Sequence, residues 1–483
     1  MPKLVILWTD AVFFLMLIAA LFYIGHARKS PTLRATWRKV AQEPSAMAAL
    51  VIVLIFLAVA LLDSIHFRRM LPPAPGAAAN TAVAYSTRTE SVLDALLARQ
   101  IAMRETSYSL PMATETFTKE SREVNGQVVR ERVRLDHGGA HLKDPARDYW
   151  PDVRQRVGQG VVGALLAAFG FALLVAAGLA ARQKRNIRDT WHDILTSRTD
   201  LPWSTVCITV TAVCLVVGPV IMLMNYYHVL GTDRTGNDVL YQALKSIRTA
   251  FVIGTLTTLA TLPFAVVLGV MAGYFRGWVD DVIQYLYTTL SSIPNVLLIA
   301  ACVLIIQVFI DKNPQLFDTG AERADLKLFF LCLILGLTGW AGLCRLLRAE
   351  TMKLRELDYV QAAQAFGVSP WRIMARHILP NVTHLILITT VLDFSTLVLY
   401  EAVLSYVGVG VDPSMSSFGG MINLARSEMS REPVVWWSFM AAFAFMVALV
   451  LAFNLLADAV QAAFDPRTRK FRAKLRLFKP AAA

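Results

Sequence analysis

The sequence predicts an all-α polytopic membrane protein. Of its 483 residues, 56% are hydrophobic and only 17% are charged, and the mean hydropathy is +0.51. A soluble chain of this length would carry more polar surface. Nine apolar segments are long enough to cross a bilayer, which takes about 20 helical residues. The formal net charge is +12, but the basic residues flank the apolar segments. They are interpreted as topology signals, and no nucleic-acid partner is expected.

Each predicted span is a long apolar run bounded by polar or basic residues. The nine spans lie near residues 4–25, 46–66, 158–181, 203–224, 249–272, 283–310, 327–346, 383–405 and 434–458. The first is too long for a cleavable signal and has no convincing cleavage site, so it is predicted to be a retained helix. All five cysteines lie inside apolar segments without a Cys-x-x-Cys pair. We therefore expect them to fill apolar space rather than form disulfides or metal sites.

Basic residues predict the orientation of these spans. Basic residues follow three of the spans. The group after the first span is Arg28, Lys29, Arg34, Arg38 and Lys39, and the group after the third is Arg182, Lys184, Arg185, Arg188 and Arg198. The group after the ninth span consists of seven residues of the tail. The positive-inside rule places all three groups in the cytoplasm. Nine spans with the N-terminus outside and the C-terminus in the cytoplasm satisfy all of them.

The same alternation gives the predicted organisation of the chain. It comprises two N-terminal transmembrane helices (1–66), an external segment (67–157), two further transmembrane helices (158–227), a core (228–467) and a basic cytoplasmic tail (468–483). Within the external segment we expect a linker over 72–79, a helix over 91–104 and a hairpin centred on Asn125-Gly126. A shorter external insertion is predicted at 311–325.

Residues 358–380, between two apolar spans, carry the pattern of a helix, a turn and a second helix. Gly367 fits the left-handed position that ends a helix. Ser369 is predicted to cap the next helix, with Pro370 in its first turn. Pro380 is expected to end that second helix and to open the next segment.

This segment resembles the cytoplasmic coupling loop of permeases of the ABC importer class, whose signature is Glu-Ala-Ala, three residues, Gly, and about ten more before Leu-Pro. Gln361 stands in place of the Glu, and His377 in place of a frequent Ile. The residues assigned to coupling by this resemblance, within a loop of 349–380, are Tyr359, Gln361, Ala362, Ala363, Gly367, His377, Leu379 and Pro380.

A second stretch, residues 230–238, resembles the Leu-Gly-Thr-Asp-x-x-Gly-Arg-Asp motif that precedes a helix on the external side of dipeptide and oligopeptide permeases. Its matching residues are Gly231, Thr232, Asp233, Gly236 and Asp238, while Asn237 replaces the Arg. Together the matches make 228–467 similar to the dipeptide, oligopeptide and nickel importer class. They imply a type I importer permease core with extra N-terminal helices and a small external α+β segment. Two assignments stay open for the family's first helix: the span near 46–66 or the span near 203–224.

The resemblance also implies partners. In this family two ABC ATPase subunits bind the coupling loops, a second homologous permease completes the path, and a periplasmic or lipid-anchored binding protein delivers the substrate. No Gly-Lys dipeptide occurs in the chain, so a phosphate-binding loop is absent from it and ATP must be hydrolysed by other subunits. The expected location is the bacterial inner membrane, in contact with membrane lipid. Two alternatives are an ATP-independent channel or carrier acting as a homo-oligomer, and a non-transporting relic whose N-terminal part is a sensor.

Two acidic residues of the eighth span are candidates for a translocation path. Asp393 lies near the middle of that span, where a carboxylate costs about 2.5 to 3.5 kcal/mol on insertion scales. It either contacts a substrate amine or makes an interhelical hydrogen bond. Glu401 lies near the helix end, where a structural role is favoured. No catalytic, cofactor or metal site is predicted, because Gly138 and Gly139 separate the only closely spaced external histidines.

Overall fold

A computed structural model describes residues 3–71, 85–124, 127–317 and 319–464. Nearly all of the regular structure is helical. The helices are α1 (Trp8–Lys29), α2 (Pro31–Gln42), α3 (Pro44–Ser64), α4 (Val92–Leu96), α5 (Ala98–Ala102), α6 (Pro145–Gln183), α7 (Ile187–Leu195), α8 (Trp203–Leu223), α9 (Val239–Phe275), α10 (Gly277–Ser292), α11 (Asn295–Lys312), α12 (Gly320–Gly339), α13 (Ala341–Arg355), α14 (Asp358–Ala365), α15 (Pro370–Ile373), α16 (Leu379–Val407), α17 (Phe418–Glu428) and α18 (Trp437–Phe464).

Two small antiparallel sheets complete the described fold. One contains β1 (Lys3–Val5), β2 (His66–Arg68) and β3 (Glu90–Ser91) in that order, and the other is the hairpin of β4 (Glu120–Val124) and β5 (Gln127–Glu131). Strands β4 and β5 lie directly before and after the predicted hairpin turn. The predicted turn at 125–126, the linker at 72–79 and the basic tail lie outside the described residues.

The all-α membrane class is confirmed. Among the described residues, nine helical stretches are long and apolar enough to cross a membrane, and each overlaps one predicted span. Several of their bounds differ from the predicted ones, and the third and sixth spans show why. The third begins at Pro145 and runs for 39 residues, because the turns before the apolar run are helical too. The sixth begins only at Asn295, because Pro294 separates the amphipathic α10 from the apolar α11.

Two other expectations were wrong in detail. The predicted 91–104 helix is split into α4 and α5 at Leu97, whose backbone leaves the helical region. Pro380 does not end a helix. A π-helical turn over Met374–Ile378 joins α15 to α16 without a break, and Pro380 lies directly after that turn, as the second residue of α16.

Helix α9 is the centre of the described fold. It packs against α12, α13, α16 and α3, and its 37 residues span about 55 Å. Phe251 of α9 packs edge-on against Phe394 of α16, which stacks on Phe453 of α18 at 3.7 Å. Gly254 allows this approach, because a Cβ at that position would overlap the Phe394 ring. The aromatic contacts hold three spans together at mid-helix.

The two ends of α9 carry different structures. Residues 85–142, which we call the 85–142 module, pack at the end where α9 begins. The 358–380 segment packs at the end where α9 finishes, which we call the loop end. The connections that contain α2 and α7 also lie at the loop end, since Trp37 packs on Phe464 and Arg38 pairs with Asp200. The basic groups of the first two connections therefore share one end with the 358–380 segment.

The two spans that could correspond to the family's first helix, near 46–66 and near 203–224, pack differently. Helix α3 packs on both α9 and α18. Helix α8 packs mainly on α6, where Gly160 and Gly218 let the two backbones touch, and it meets the rest of the bundle through α3. Helix α3 therefore packs within the bundle around α9, and we describe α6 and α8 as a peripheral pair.

Candidate functional site

The 358–380 segment has the predicted helix–turn–helix shape. Gly367 is in the left-handed region with φ +73°, and the Val368 N–H donates to the Ala363 carbonyl at 3.1 Å. This is a Schellman closure of α14. Ser369 occupies the N-cap position of α15 without a capping hydrogen bond from its side chain, and Pro370 lies in the first turn.

Buried aliphatic residues attach this segment to the bundle. Val360, Ile373 and Ile378 are fully buried in a cluster with α9 and α13. At the end of α9, Gln364 donates to the Tyr274 hydroxyl at 3.3 Å, and Trp371 packs edge-on against Phe275. A displacement of the segment would therefore be transmitted directly to α9.

The opposite side of the segment is exposed and aromatic. Phe366 is 87% exposed, Trp371 61% and Tyr359 43%. The Tyr359 hydroxyl accepts a hydrogen bond from Asn381 at 3.0 Å, and its ring lies against His377. Of the remaining residues in the predicted coupling set, Gln361, Ala362 and Pro380 are exposed, and Ala363 and Leu379 are half-buried. An exposed aromatic surface beside charged and amide groups is suited to protein binding.

The motif at 230–238 is a tight turn that caps α9. Asp238 accepts from the Tyr241 N–H at 3.0 Å, and Asp233 accepts from the backbone N–H groups of Thr235 and Asn237. Gly231 and Gly236 have φ of +74° and +75°. A side chain at Gly236 would overlap the Glu105 carbonyl. The motif therefore needs glycine where the 85–142 module touches it.

The module is attached to this motif by a buried ion cluster. His228 Nδ1 lies 2.9 Å from Asp238 Oδ2, and His228 Nε2 lies 3.4 Å from Glu105 Oε1. Glu105 also accepts three backbone N–H groups, from residues 136 to 138. Burial alone would lower the pKa of His228, but its two carboxylate partners outweigh burial and raise that pKa to about 9. Burial would raise the pKa of Glu105, but His228 and the three N–H groups lower it to about 2.

Further contacts join the module to the last two helices. The Tyr108 hydroxyl donates to Glu428 of α17 at 2.8 Å, and Phe117 packs edge-on against Trp437 of α18 at 4.9 Å. The Trp437 indole N–H in turn donates to the Thr232 carbonyl at 2.9 Å. Sequence reasoning missed this cluster, because Glu105 lies more than 100 residues before His228 and Asp238, and none of the three is unusual in a polar segment.

A second buried ion cluster ties α1 to the core. Arg248 of α9 donates to Asp10 at 2.5 Å and lies 3.4 Å from Asp325 of α12. His66 Nδ1 lies 2.7 Å from the second Asp10 oxygen, and Thr9 also bonds Asp325. All four charged or titratable side chains are buried. Asp10 is therefore a buried ion-pair residue.

The two acidic residues of α16 have different surroundings. Glu401 is buried and accepts from the Ser405 hydroxyl at 2.6 Å, next to Gly419 of α17. Asp393 is half-buried, and neither a hydrogen-bond donor nor a cation contacts its carboxylate among the residues that the structure describes. Of the two, Asp393 is the group free to receive a ligand.

Comparison with known proteins agrees with this architecture. Residues 265–470 match the model of the family described as binding-protein-dependent transport system inner membrane component. The oligopeptide transport system permease protein OppC of Mycobacterium tuberculosis H37Rv is 30% identical over 249 residues, which are 52% of this chain and 79% of that protein. The glutathione transport system permease protein GsiD of Pectobacterium atrosepticum is 30% identical over 243 residues, 50% of this chain and 73% of that protein.

The fold and these similarities define a multi-pass membrane protein of the permease class. The chain belongs to the family of binding-protein-dependent transport system inner membrane components, the permeases of ABC transporters.

Proposed function

We propose that this chain is the permease subunit of an ATP-driven importer of di- and oligopeptides or similar solutes. The observation that carries the proposal is the 358–380 segment, which buries one face against α9 and α13 and leaves an aromatic face uncovered at the loop end. In the proposed complex, a groove on each of two ATPase subunits receives such a segment, one from this chain and one from a second permease. ATP hydrolysis by those subunits then moves α9 and alternates access across the membrane.

The proposed orientation puts the loop end in the cytoplasm and the 85–142 module outside. It is supported by the basic connections at the loop end and by the positive-inside rule. A binding protein would then deliver the solute from the side of the module. The peptide class of the solute is proposed because similar permeases are named for oligopeptide and glutathione transport.

Affinity purification of the tagged chain from membranes in mild detergent tests the complex. We expect mass spectrometry to recover two ATPases with phosphate-binding loops and a second permease. A Phe366→Ala, Trp371→Ala variant should lose the ATPases and keep the second permease, because both exposed rings lie on the 358–380 segment. Recovery of the chain alone, as a stable homo-oligomer, would favour the ATP-independent channel or carrier.

Asp393 is proposed to receive the cationic amine of the solute. The unpartnered carboxylate supports this role, because a charge in a membrane span is normally paired or faces a water-filled path. Asp393→Asn should weaken uptake of a peptide with a free N-terminus and leave uptake of its N-acetylated form little changed. Equal kinetics of Asp393→Asn and the native chain for both peptides would make Asp393 a packing residue.

A further inference from the structure

A cavity of about 400 Å³ lies at the loop end of the peripheral helix pair. The C-terminal end of α6, the short helix α7 and the connection into α8 line it, and it is open to the surface. Arg185 and Arg198 line it together with Thr190, Asp193 and Asp200. It is far from the aromatic contacts at mid-bundle, and the transport cycle proposed above makes no use of it.

The lining of this cavity contains two arginines and two aspartates, and the pairing of these charges favours an anion. Asp200 already pairs with Arg38 at 3.1 Å, and Asp193 lies 3.6 Å from Arg185. No acidic side chain pairs with Arg198 in the part of the chain that the structure describes. Three further basic side chains at the rim, Arg182, Lys184 and Arg188, are exposed. Residues 182–200 thus carry five basic and three acidic side chains, with Arg38 as an additional cation at the edge.

The surface beside the cavity is apolar. Helix α7 places Ile187, Trp191 and Leu195 at four-residue spacing, which puts them on one face. Ile187 and Leu195 are exposed, and Trp191 packs edge-on against Phe169 of the α6 span at 5.9 Å. The apolar stripe therefore continues directly into the exposed apolar side of α6. Tryptophan beside basic residues at the end of a span is typical of the membrane–water interface.

We propose that this cavity is a binding site for an anionic phospholipid. The lipid phosphate accepts hydrogen bonds from Arg185 and Arg198, and the acyl chains follow the stripe of α7 onto α6. A guanidinium suits this role because its planar fork binds two phosphate oxygens at once. A soluble acidic partner would match the arginines but would leave the apolar stripe uncovered. The lipid satisfies both features, and it would fix α7 against the peripheral pair.

Native mass spectrometry of the full chain, purified with its accompanying subunits, tests the site. The probe is an equimolar mixture of phosphatidylglycerol and phosphatidylcholine. We expect the native chain to retain phosphatidylglycerol preferentially. Arg185→Gln with Arg198→Gln should weaken that retention roughly 30-fold, taking about 1 kcal/mol for each basic residue at a membrane surface. The matched control, Arg130→Gln with Arg132→Gln, removes the same charge from the exposed hairpin region and should change nothing.

Two additional variants separate a lipid from free phosphate and from a folding defect. Leu195→Gln should weaken retention of phosphatidylglycerol without affecting binding of inorganic phosphate. Arg185→Lys with Arg198→Lys keeps the charge but loses the planar fork, so it should weaken retention less than the double glutamine variant. Arg198→Gln alone carries the test if the double glutamine variant does not fold. Three results would overturn the proposal. The first is equal retention of the two lipids, and the second is an equal loss in the control variant. The third is displacement of phosphatidylglycerol by inorganic phosphate together with no effect of Leu195→Gln.

Discussion

In the 358–380 segment, the role of Gly367 depends on its backbone conformation and not on close packing. Its φ of +73° is one that side chains rarely adopt, yet a Cβ built on it would meet no atom within 4 Å. Any other residue at position 367 would therefore have a strained backbone, although its side chain would not clash with a neighbour. Asp10 differs from Gly367, because its role depends on the side-chain contacts of its carboxylate with Arg248 and His66.

Gly367→Val should greatly reduce transport while leaving membrane insertion intact. The left-handed conformation costs about 1 to 2 kcal/mol for an L-residue, and more for a β-branched one, so the turn between α14 and α15 would rearrange. Uptake in vesicles and the amount of inserted protein are the measurements. Gly178→Val is the control, because Gly178 lies in α6 with helical φ and open space around it. Normal uptake by Gly367→Val would contradict the proposed role of the turn.

Asp10→Ala should destabilise the protein by about 3 to 5 kcal/mol, because it leaves the buried Arg248 without its nearest counter-ion. Thermal unfolding in detergent measures the loss. The matched control is Asp200→Ala, which breaks the exposed ion pair with Arg38 and should have little effect. If both variants unfold at the same temperature, Arg248 does not depend on Asp10.

At the scale of elements, the 85–142 module joins helices that are distant in sequence. It touches the cap of α9 through Glu105, α17 through Tyr108 and α18 through Phe117. A short α+β segment without a large core of its own is thereby ordered by the helices on which it rests. The titratable pair at its centre makes this attachment depend on pH.

The contribution of His228 to stability should disappear at alkaline pH. Its pKa is raised from 6.5 to about 9 in the folded protein, so the contribution is complete below pH 6.5 and is lost as the pH rises through about 9. The difference in melting temperature between the native chain and His228→Gln should therefore shrink over that interval. His192→Gln, at an exposed histidine, should show no such trend. A difference independent of pH would mean that His228 is neutral throughout.

Glu105 sets the acidic limit of the pH range in which the module is firmly attached. Its pKa is lowered from 4.5 to about 2, so its contribution is present above pH 4.5 and is lost as the pH falls through about 2. The attachment of the module is therefore strongest between about pH 4.5 and 6.5, where both groups are charged.

For the whole molecule, the two ends of the bundle should lie on opposite sides of the membrane. A membrane-impermeant thiol reagent should label Phe366→Cys only from the cytoplasm and Arg132→Cys only from outside, because both positions are exposed at opposite ends. The native cysteines give little background, since all five lie within the spans. Labelling of both positions from one side would contradict the proposed orientation.

Local signals in the sequence predicted the spans and the turn at Gly367, because apolar length and a glycine cap act within a few residues. The partners of Asp10 and Glu105 could not be predicted in this way. Arg248 and His228 are far away along the chain, and only the packing of α1 and of the module brings them near. The join at Pro380 was mispredicted for another reason. The π-helical turn includes Ile378 and follows Ile373, and both side chains pack into the cluster with α9 and α13, which local sequence signals do not show.

The pairing of Asp10 with Arg248 has a consequence for biosynthesis. The two residues are 238 positions apart. At about 5 to 20 residues per second, the ribosome adds Arg248 roughly 10 to 50 seconds after Asp10. During that interval α1 has already left the ribosome with an acidic group that has no counter-ion from α9. Until the fifth span arrives, α1 therefore lacks the cation nearest to Asp10 in the folded protein, and His66, 56 positions away, is the partner that becomes available first.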